Sequence, residues 1–263
     1  MTTELNEDFD VTLTDHIATL EIKRPPHNFL SNDLMRRIAD SYEALDRNPE
    51  CRAIVLCSEG KNFCAGGDYA PAQTRADGGE PPPLALDDFF TQVVRIFRCQ
   101  TPVVAAIQGA AVGGGLGLAV SADFRVTCAE GRFSANFTRL GFNPGFGLVI
   151  TLPALIGEQR ASLMCLTSRR VKGEQAFAWG LADAFVELAQ VRTAAHELAR
   201  EIAACAPLAI ASTRATLRAG LADRIERQNE HDVTEQKRLR ESHDWTEGVT
   251  AVAEGRMPIF TGR

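Results

Sequence analysis

Residues 8–23 alternate apolar and polar positions around Asp15-His16, the period-two pattern of a β-hairpin that turns at that step, with His16 as a turn residue. Arg24-Pro25-Pro26 closes the hairpin. Ser31 to Leu45 then places Leu34, Ile38 and Leu45 at helical spacing, with Ser31 or Asn32 as the cap. The spacing predicts strands at Ala53–Cys57, Pro102–Ile107 and Phe124–Cys128, and a helix over Asp87–Arg98 with Phe90, Val93, Val94 and Phe97 on one face. Strand and helix thus alternate through the first two thirds, which predicts an α/β architecture. From Glu158 onward the pattern is helical near 158–166, 173–179, 191–205, 207–221 and 223–243, interrupted by the short run Ala184–Glu187.

Composition narrows the function class. The chain has 263 residues, 45% hydrophobic and 24% charged, the balance of a globular protein with a real core. A net charge of −6 without a basic run argues against nucleic acid as the partner, and the mixed signs of Arg224 to His243 point to a solvated or subunit-contacting face. The start, MTTELNEDFD, lacks the basic and apolar regions of a signal peptide. The most apolar stretch, Pro102 to Val120, is broken by Gln108 and five glycines and is too interrupted to cross a membrane. A cytoplasmic location without membrane contact is the expectation. Seven cysteines show no CxxC and no metal-ligand spacing, so they read as reduced thiols with no metal site.

Two glycine-rich loops carry the chemistry. The first, Glu59 to Asp68, includes Phe63-Cys64-Ala65-Gly66-Gly67-Asp68; the second runs from Gly109 through Gly113-Gly114-Gly115 to Gly117. Each follows an apolar strand, and the glycines let backbone approach a ligand while the helix after the second loop offers free N–H groups and the positive end of its dipole. That outlines an oxyanion or phosphate site. No G-x-G-x-x-G fingerprint, Walker pair or G-x-S-x-G elbow is present, and His196-Glu197 lacks a second histidine because Arg200 stands there. The polar segment from residue 69 to Pro83 reads as a mobile loop or lid, in which Asp77 and Glu80 have no assigned place.

Taken together, Phe63–Asp68, Ala106-Ile107-Gln108-Gly109 leading into Gly113–Gly115, Leu140-Gly141-Phe142-Asn143-Pro144-Gly145, and Gly248 with Pro258–Arg263 resemble the enoyl-CoA hydratase/isomerase (crotonase) superfamily. The resemblance implies a spiral of ββα units over residues 1–200 and a helical trimerisation region over 201–263, assembled as a homotrimer or a dimer of trimers. It implies an acyl-CoA thioester as substrate, with coenzyme A entering as part of that substrate and no tightly bound cofactor. It places an oxyanion hole on the N–H groups of Ala65 and Gly114, and CoA contacts at Arg24, His27, Lys61, Cys64, Phe260 and Arg263. Two aligned donors of this kind stabilise a developing thioester oxyanion by roughly 3–4 kcal/mol each.

The chain departs from the family's hydratases at the residues that move protons. Their two glutamates fall on Gly117 and Phe137, neither of which can relay a proton, so the two-carboxylate addition of water is not available. The 3-hydroxyisobutyryl-CoA hydrolase branch and the dehalogenase branch each carry an aspartate where this chain has Gly145. Asp68 and Asn143 are the remaining polar candidates near the site, each with a structural role as its alternative; Thr138 and Arg139 flank the missing glutamate. Phe29, Phe137, Phe142 and Phe146 suit a pocket for a bulky or aromatic acyl chain. Isomerisation, thioester hydrolysis, decarboxylation and acyl-CoA binding without turnover all stay open.

Overall fold

A computed structural model describes residues 8–69 and 84–263. The lid expected over 69–83, with Asp77 and Glu80, lies outside the described residues apart from Tyr69.

The opening hairpin pairs β1 (Phe9–Thr14) with β2 (Ile17–Ile22), and Asp15 and His16 both take positive φ (50° and 66°). A two-residue turn with both centres left-handed matches the twist of the strands it joins. Helix α1 (Asn32–Asp46) starts where Ser31 accepts the Leu34 N–H, and it buries Leu34, Met35, Ile38 and Leu45. After it come β3 (Ala53–Ser58), α2 (Leu86–Phe97), β4 (Val103–Ile107), β5 (Ala110–Val112), α3 (Gly114–Ser121), β6 (Phe124–Thr127) and β7 (Arg132–Ser134). The helical half comprises α4 (Leu148–Ile156), α5 (Glu158–Thr167), α6 (Gly173–Trp179), α7 (Val191–Ala203), α8 (Pro207–Leu217), α9 (Leu221–Leu239) and α10 (His243–Ala253), with the short strands β8 (Val171–Lys172) and β9 (Ala184–Phe185) between them.

Six strands form one sheet in the order β1-β2-β3-β4-β6-β9, parallel except for the hairpin, and β5-β7-β8 form a second small sheet. Every residue of β3 is buried, as expected for a strand covered on both faces. Alternation sorts them: Ile54 and Leu56 join the larger core under α1 and α2, while Ala53, Val55 and Cys57 join a second core under α7. Ile225 of α9 and Val249 of α10 belong to the larger core, so the C-terminal helices close over the same apolar interior. Asp123 fixes α8 by bonding Arg214 Nε (3.0 Å) and the Arg218 guanidinium (3.2 Å).

The α/β expectation holds, and the boundaries of the predicted helices shift by a few residues. The small sheet, α4 and α10 are additions to the pattern read from the sequence.

Candidate active site

The two glycine loops meet. Cys64 N–H donates to the Ala110 carbonyl (2.8 Å) and Val112 N–H to the Cys64 carbonyl (3.0 Å), which stitches the first loop to β5. On its other edge Leu30 N–H donates to the Gly66 carbonyl (2.8 Å). Gly66 turns with φ of 88°, and a Cβ there would lie 2.8 Å from the Val112 carbonyl and 3.3 Å from the Gly114 nitrogen. Only glycine permits that approach. Gly114 is the first residue of α3, so its N–H has no partner inside the helix.

These pairings correct one expectation. The Ala65 N–H donates to the His27 carbonyl at 3.0 Å, so it is already committed. The unpartnered amide on the first loop is two residues on, at Gly67. The N–H groups of Gly67 and Gly114 have no acceptor among the described residues, and both residues line one pocket. Sequence reasoning missed Gly67 because strand parity in this loop is set by its distant partners at 27–30 and 110–112.

The pocket beyond the amides is aromatic. Phe89, Phe90, Phe137, Phe142 and Phe146 line it together with Leu84, Leu86 and Leu140. Phe89 and Phe146 meet edge to face (5.9 Å between centroids), as do Phe137 and Phe142 (5.3 Å). Phe29 lies apart, its ring tilted 33° against that of His27 at 4.9 Å, in a wider cavity of about 530 Å³ that also reaches Asp68, Asn62, Arg132 and Arg170. The polar side chains of the inner pocket are Asn136, Tyr69 and Gln236, and no Asp, Glu or His is among its described lining residues. Gly117 is packed under Phe146: a Cβ would sit 2.3 Å from that ring. Phe137 is 6% exposed, with its ring on the pocket wall.

The other expected residues separate. Asp68 borders the wider cavity and is not a lining residue of the inner pocket. Asn143 turns its amide toward its own loop, Nδ2 donating to the Pro144 carbonyl (3.3 Å), and it does not line the inner pocket. Cys64 is corrected as a CoA contact, since it is fully buried and desolvation pushes its thiol up to about 12. Arg24 lines neither cavity, and its guanidinium bonds Asp8 (2.6 Å) and Ser31 (2.8 Å). Lys61 opens onto a separate groove with Glu21, Glu130 and Arg192. Thr138 faces away, bonded to the Cys165 carbonyl and Ser168. Phe260 and Arg263 lie on an extended tail held by α10, where Asp244 accepts the N–H groups of Thr261 (2.7 Å) and Gly262 (2.8 Å), and Glu247 that of Ile259 (2.7 Å).

Behind the pocket, α9 presents Asn229, Asp232 and Gln236 along one buried stripe. Gln236 Nε2 donates to the Asn143 carbonyl (3.1 Å) and Asn229 Nδ2 to that of Phe90 (3.3 Å). Asp232 is 1% exposed, with one oxygen unpartnered, and burial pushes its carboxyl up to about 6.

The sequence profile of the enoyl-CoA hydratase/isomerase family matches residues 12–263. The chain belongs to that family. It is 30% identical to a carnitinyl-CoA dehydratase of Salmonella typhi over 98% of this chain and 100% of the relative. Among solved structures, carnitinyl-CoA hydratase from Mycobacterium avium superposes with a TM-score of 0.86 at 27% identity, covering 98% of this chain and all of that one. An enoyl-CoA hydratase/isomerase from Pseudoalteromonas atlantica gives a TM-score of 0.84 at 26% identity, covering 97% and 100%. Within this family, the chain has two glycine loops that meet at one pocket, with Gly117 packed under Phe146 and Phe137 on the pocket wall. No described helix is long and apolar enough to cross a membrane.

Proposed function

We propose that the protein binds an acyl-CoA thioester with its carbonyl oxygen between the N–H groups of Gly67 and Gly114, and turns it over through an enolate or oxyanion held there. The carrying observation is two unpartnered main-chain donors opening on one apolar pocket. Such donors are fixed before charge develops, and water excluded by the aromatic walls leaves them strong. The wider cavity leads from the surface to Gly67, and Arg132 and Arg170 there suit the phosphates of coenzyme A, with His27 and Asn62 along its wall. Coenzyme A is part of the substrate on this reading, and no resident cofactor is needed.

Hydration by two glutamates is not the reaction we assign, because Gly117 lies under Phe146 and Phe137 is a wall. The names of the relatives do not carry across either. A carnitinyl chain ends in a trimethylammonium, which an aromatic niche holds by cation–π attraction. Here the niche formed by Tyr69, Phe142 and Trp245 is already filled: the Arg240 guanidinium carbon lies 5.1 Å from each ring centroid. A neutral, apolar acyl group suits the pocket's aromatic lining better.

The missing carboxylates support a second reading, an acyl-CoA-binding protein without turnover. Incubation with a panel of enoyl-, 3-hydroxyacyl- and malonyl-type CoA thioesters, followed by mass spectrometry of products, separates the two. Turnover of one member that is lost on substitution around the pocket supports the enzyme. Tight binding of the panel with no product supports the binding protein, and no binding at all defeats both. Assembly as a homotrimer or dimer of trimers is part of the same proposal, supported by Leu208 and Leu217 of α8 standing 86% and 81% exposed.

A further inference from the structure

Among its described lining residues the inner pocket has no carboxylate, yet it has one hydroxyl with an unusual neighbour. Tyr69 lines both the inner pocket and the wider cavity. A Cβ built on Gly67 would lie 2.8 Å from both Cζ and Oη of Tyr69, which sets that hydroxyl beside the amide proposed to hold the thioester oxygen. Arg240 Nη2 donates to Tyr69 Oη at 3.0 Å, and the hydroxyl's own proton has no acceptor among the described residues. Arg240 in turn has no carboxylate partner among the described residues. Its other contacts are a long bond to Gln236 Oε1 (3.4 Å), while its Nε is buried and unpartnered. Among the described residues, this half-buried cation is held by aromatic faces, a phenol and one amide oxygen, and a negative charge forming next to it would be stabilised.

We propose that Tyr69 is the proton-transfer group of this site, giving its hydroxyl proton to the α-carbon of the bound thioester enolate, with Arg240 as the positioning residue that stabilises the resulting tyrosinate. This rests on the acyl-CoA reading given above. In the step, the enolate electron pair forms the new C–H bond, the Tyr69 O–H bond breaks, and the thioester carbonyl re-forms as its oxygen loses charge. The tyrosinate then takes a proton from water in the wider cavity it borders. Run in reverse, the tyrosinate removes an α-proton and the two amides hold the enolate oxygen. Burial raises the Tyr69 hydroxyl above the usual tyrosine range, and Arg240 opposes that rise, so the group is protonated at neutral pH and able to donate. The titratable groups around it among the described residues are Arg240 from α9, Asp68 in its own loop, and Arg132, Arg170 and His27 along the wider cavity; α10 presents it with Trp245.

The test is exchange of α-hydrogens. Phenylacetyl-CoA is incubated with the protein in D2O, and deuterium at the α-carbon is followed by NMR across a pH series, with binding measured in parallel by calorimetry. The expected result is exchange that rises with pH, falls about 100-fold or more in Tyr69→Phe with binding retained, and moves its midpoint to higher pH in Arg240→Met. Tyr42 and Tyr69 are the two tyrosines of the chain. Uniform 3-fluorotyrosine labelling therefore acidifies this hydroxyl without deleting it, and it moves the midpoint to lower pH even where Tyr69→Phe fails to fold. Exchange in Tyr69→Phe at the parent rate, or a midpoint unmoved by fluorination, overturns the assignment. So does a protein that binds the thioester and exchanges nothing. Failure to bind phenylacetyl-CoA or any of the thioester panel sinks instead the acyl-CoA reading beneath it.

Discussion

At residue 117 the space for a side chain is taken. A Cβ would lie 2.3–2.6 Å from three atoms of Phe146, itself held at φ of 58°. Gly117→Ala is expected to destabilise by about 1–3 kcal/mol, the usual cost of overpacking a filled interior. Phe146→Ala in the same chain should recover part of that loss, a coupling read from urea unfolding of the two single variants and the double. Gly67→Ala should act differently. Its methyl would meet the Tyr69 ring at 2.8 Å, so turnover is expected to fall much more than stability, measured as kcat on whichever thioester is consumed beside the unfolding midpoint. Asp232 gives a pH signature. Its carboxyl is raised in the fold to about 6, so the folded chain binds that proton more tightly than the unfolded one. The stabilisation from this group is full below the unfolded pKa of about 3.9 and is lost as pH climbs through 6, a swing of about 3 kcal/mol. Asp232→Asn should flatten stability between pH 4 and 6, and an unchanged slope in urea titrations would refute this. At this scale the sequence was legible in the glycine loops, whose composition marks a close backbone approach that the structure shows at Gly66. It was not legible at Ala65 and Gly67, where hydrogen bonds to segments 27–30 and 110–112 decide which amide is left open.

Elements with strong periodicity read clearly: the hairpin, α1, α2 and the long C-terminal helices stand close to where the spacing put them. Elements with no pattern to show did not. Strands β5 and β7 have three residues each and β8 has two, too few for alternation to register. Helix α4 reads Leu-Val-Ile-Thr-Leu-Pro-Ala-Leu-Ile, nearly uniform in polarity and carrying Pro153, so neither a polar face nor a helical composition marks it. The tail beyond α10 is fastened by two acids near the start of that helix. Bonds from Arg256 and the Ile259 N–H hold Glu247 down at about 2, and those from Thr261 and Gly262 hold Asp244 below the usual range. Glu247→Gln should therefore loosen residues 256–263, seen as faster carboxypeptidase trimming with the rest of the chain intact. Equal trimming of parent and variant would show that the acid is not the fastener.

At the scale of the whole molecule, the alternation of strand and helix announced the α/β plan, and the glycine loops announced the family. What a single chain's pattern does not announce is its assembly. Leu208 and Leu217 on α8, with Ile259 at 76% exposure on the tail, leave large apolar side chains uncovered at the helical end. Leu208→Glu with Leu217→Glu is expected to convert a trimer or hexamer to monomer in native mass spectrometry; an unaltered mass would place the interface elsewhere.

The thiols differ sharply in their surroundings. Cys57 and Cys64 are buried and raised to about 12, Cys51 and Cys165 are part-covered and raised to about 11, Cys99 and Cys128 are also buried, and Cys205 alone is exposed. A maleimide dye at neutral pH should then attach once per chain, at the junction between α7 and α8, giving a fluorescent reporter there without any engineered cysteine.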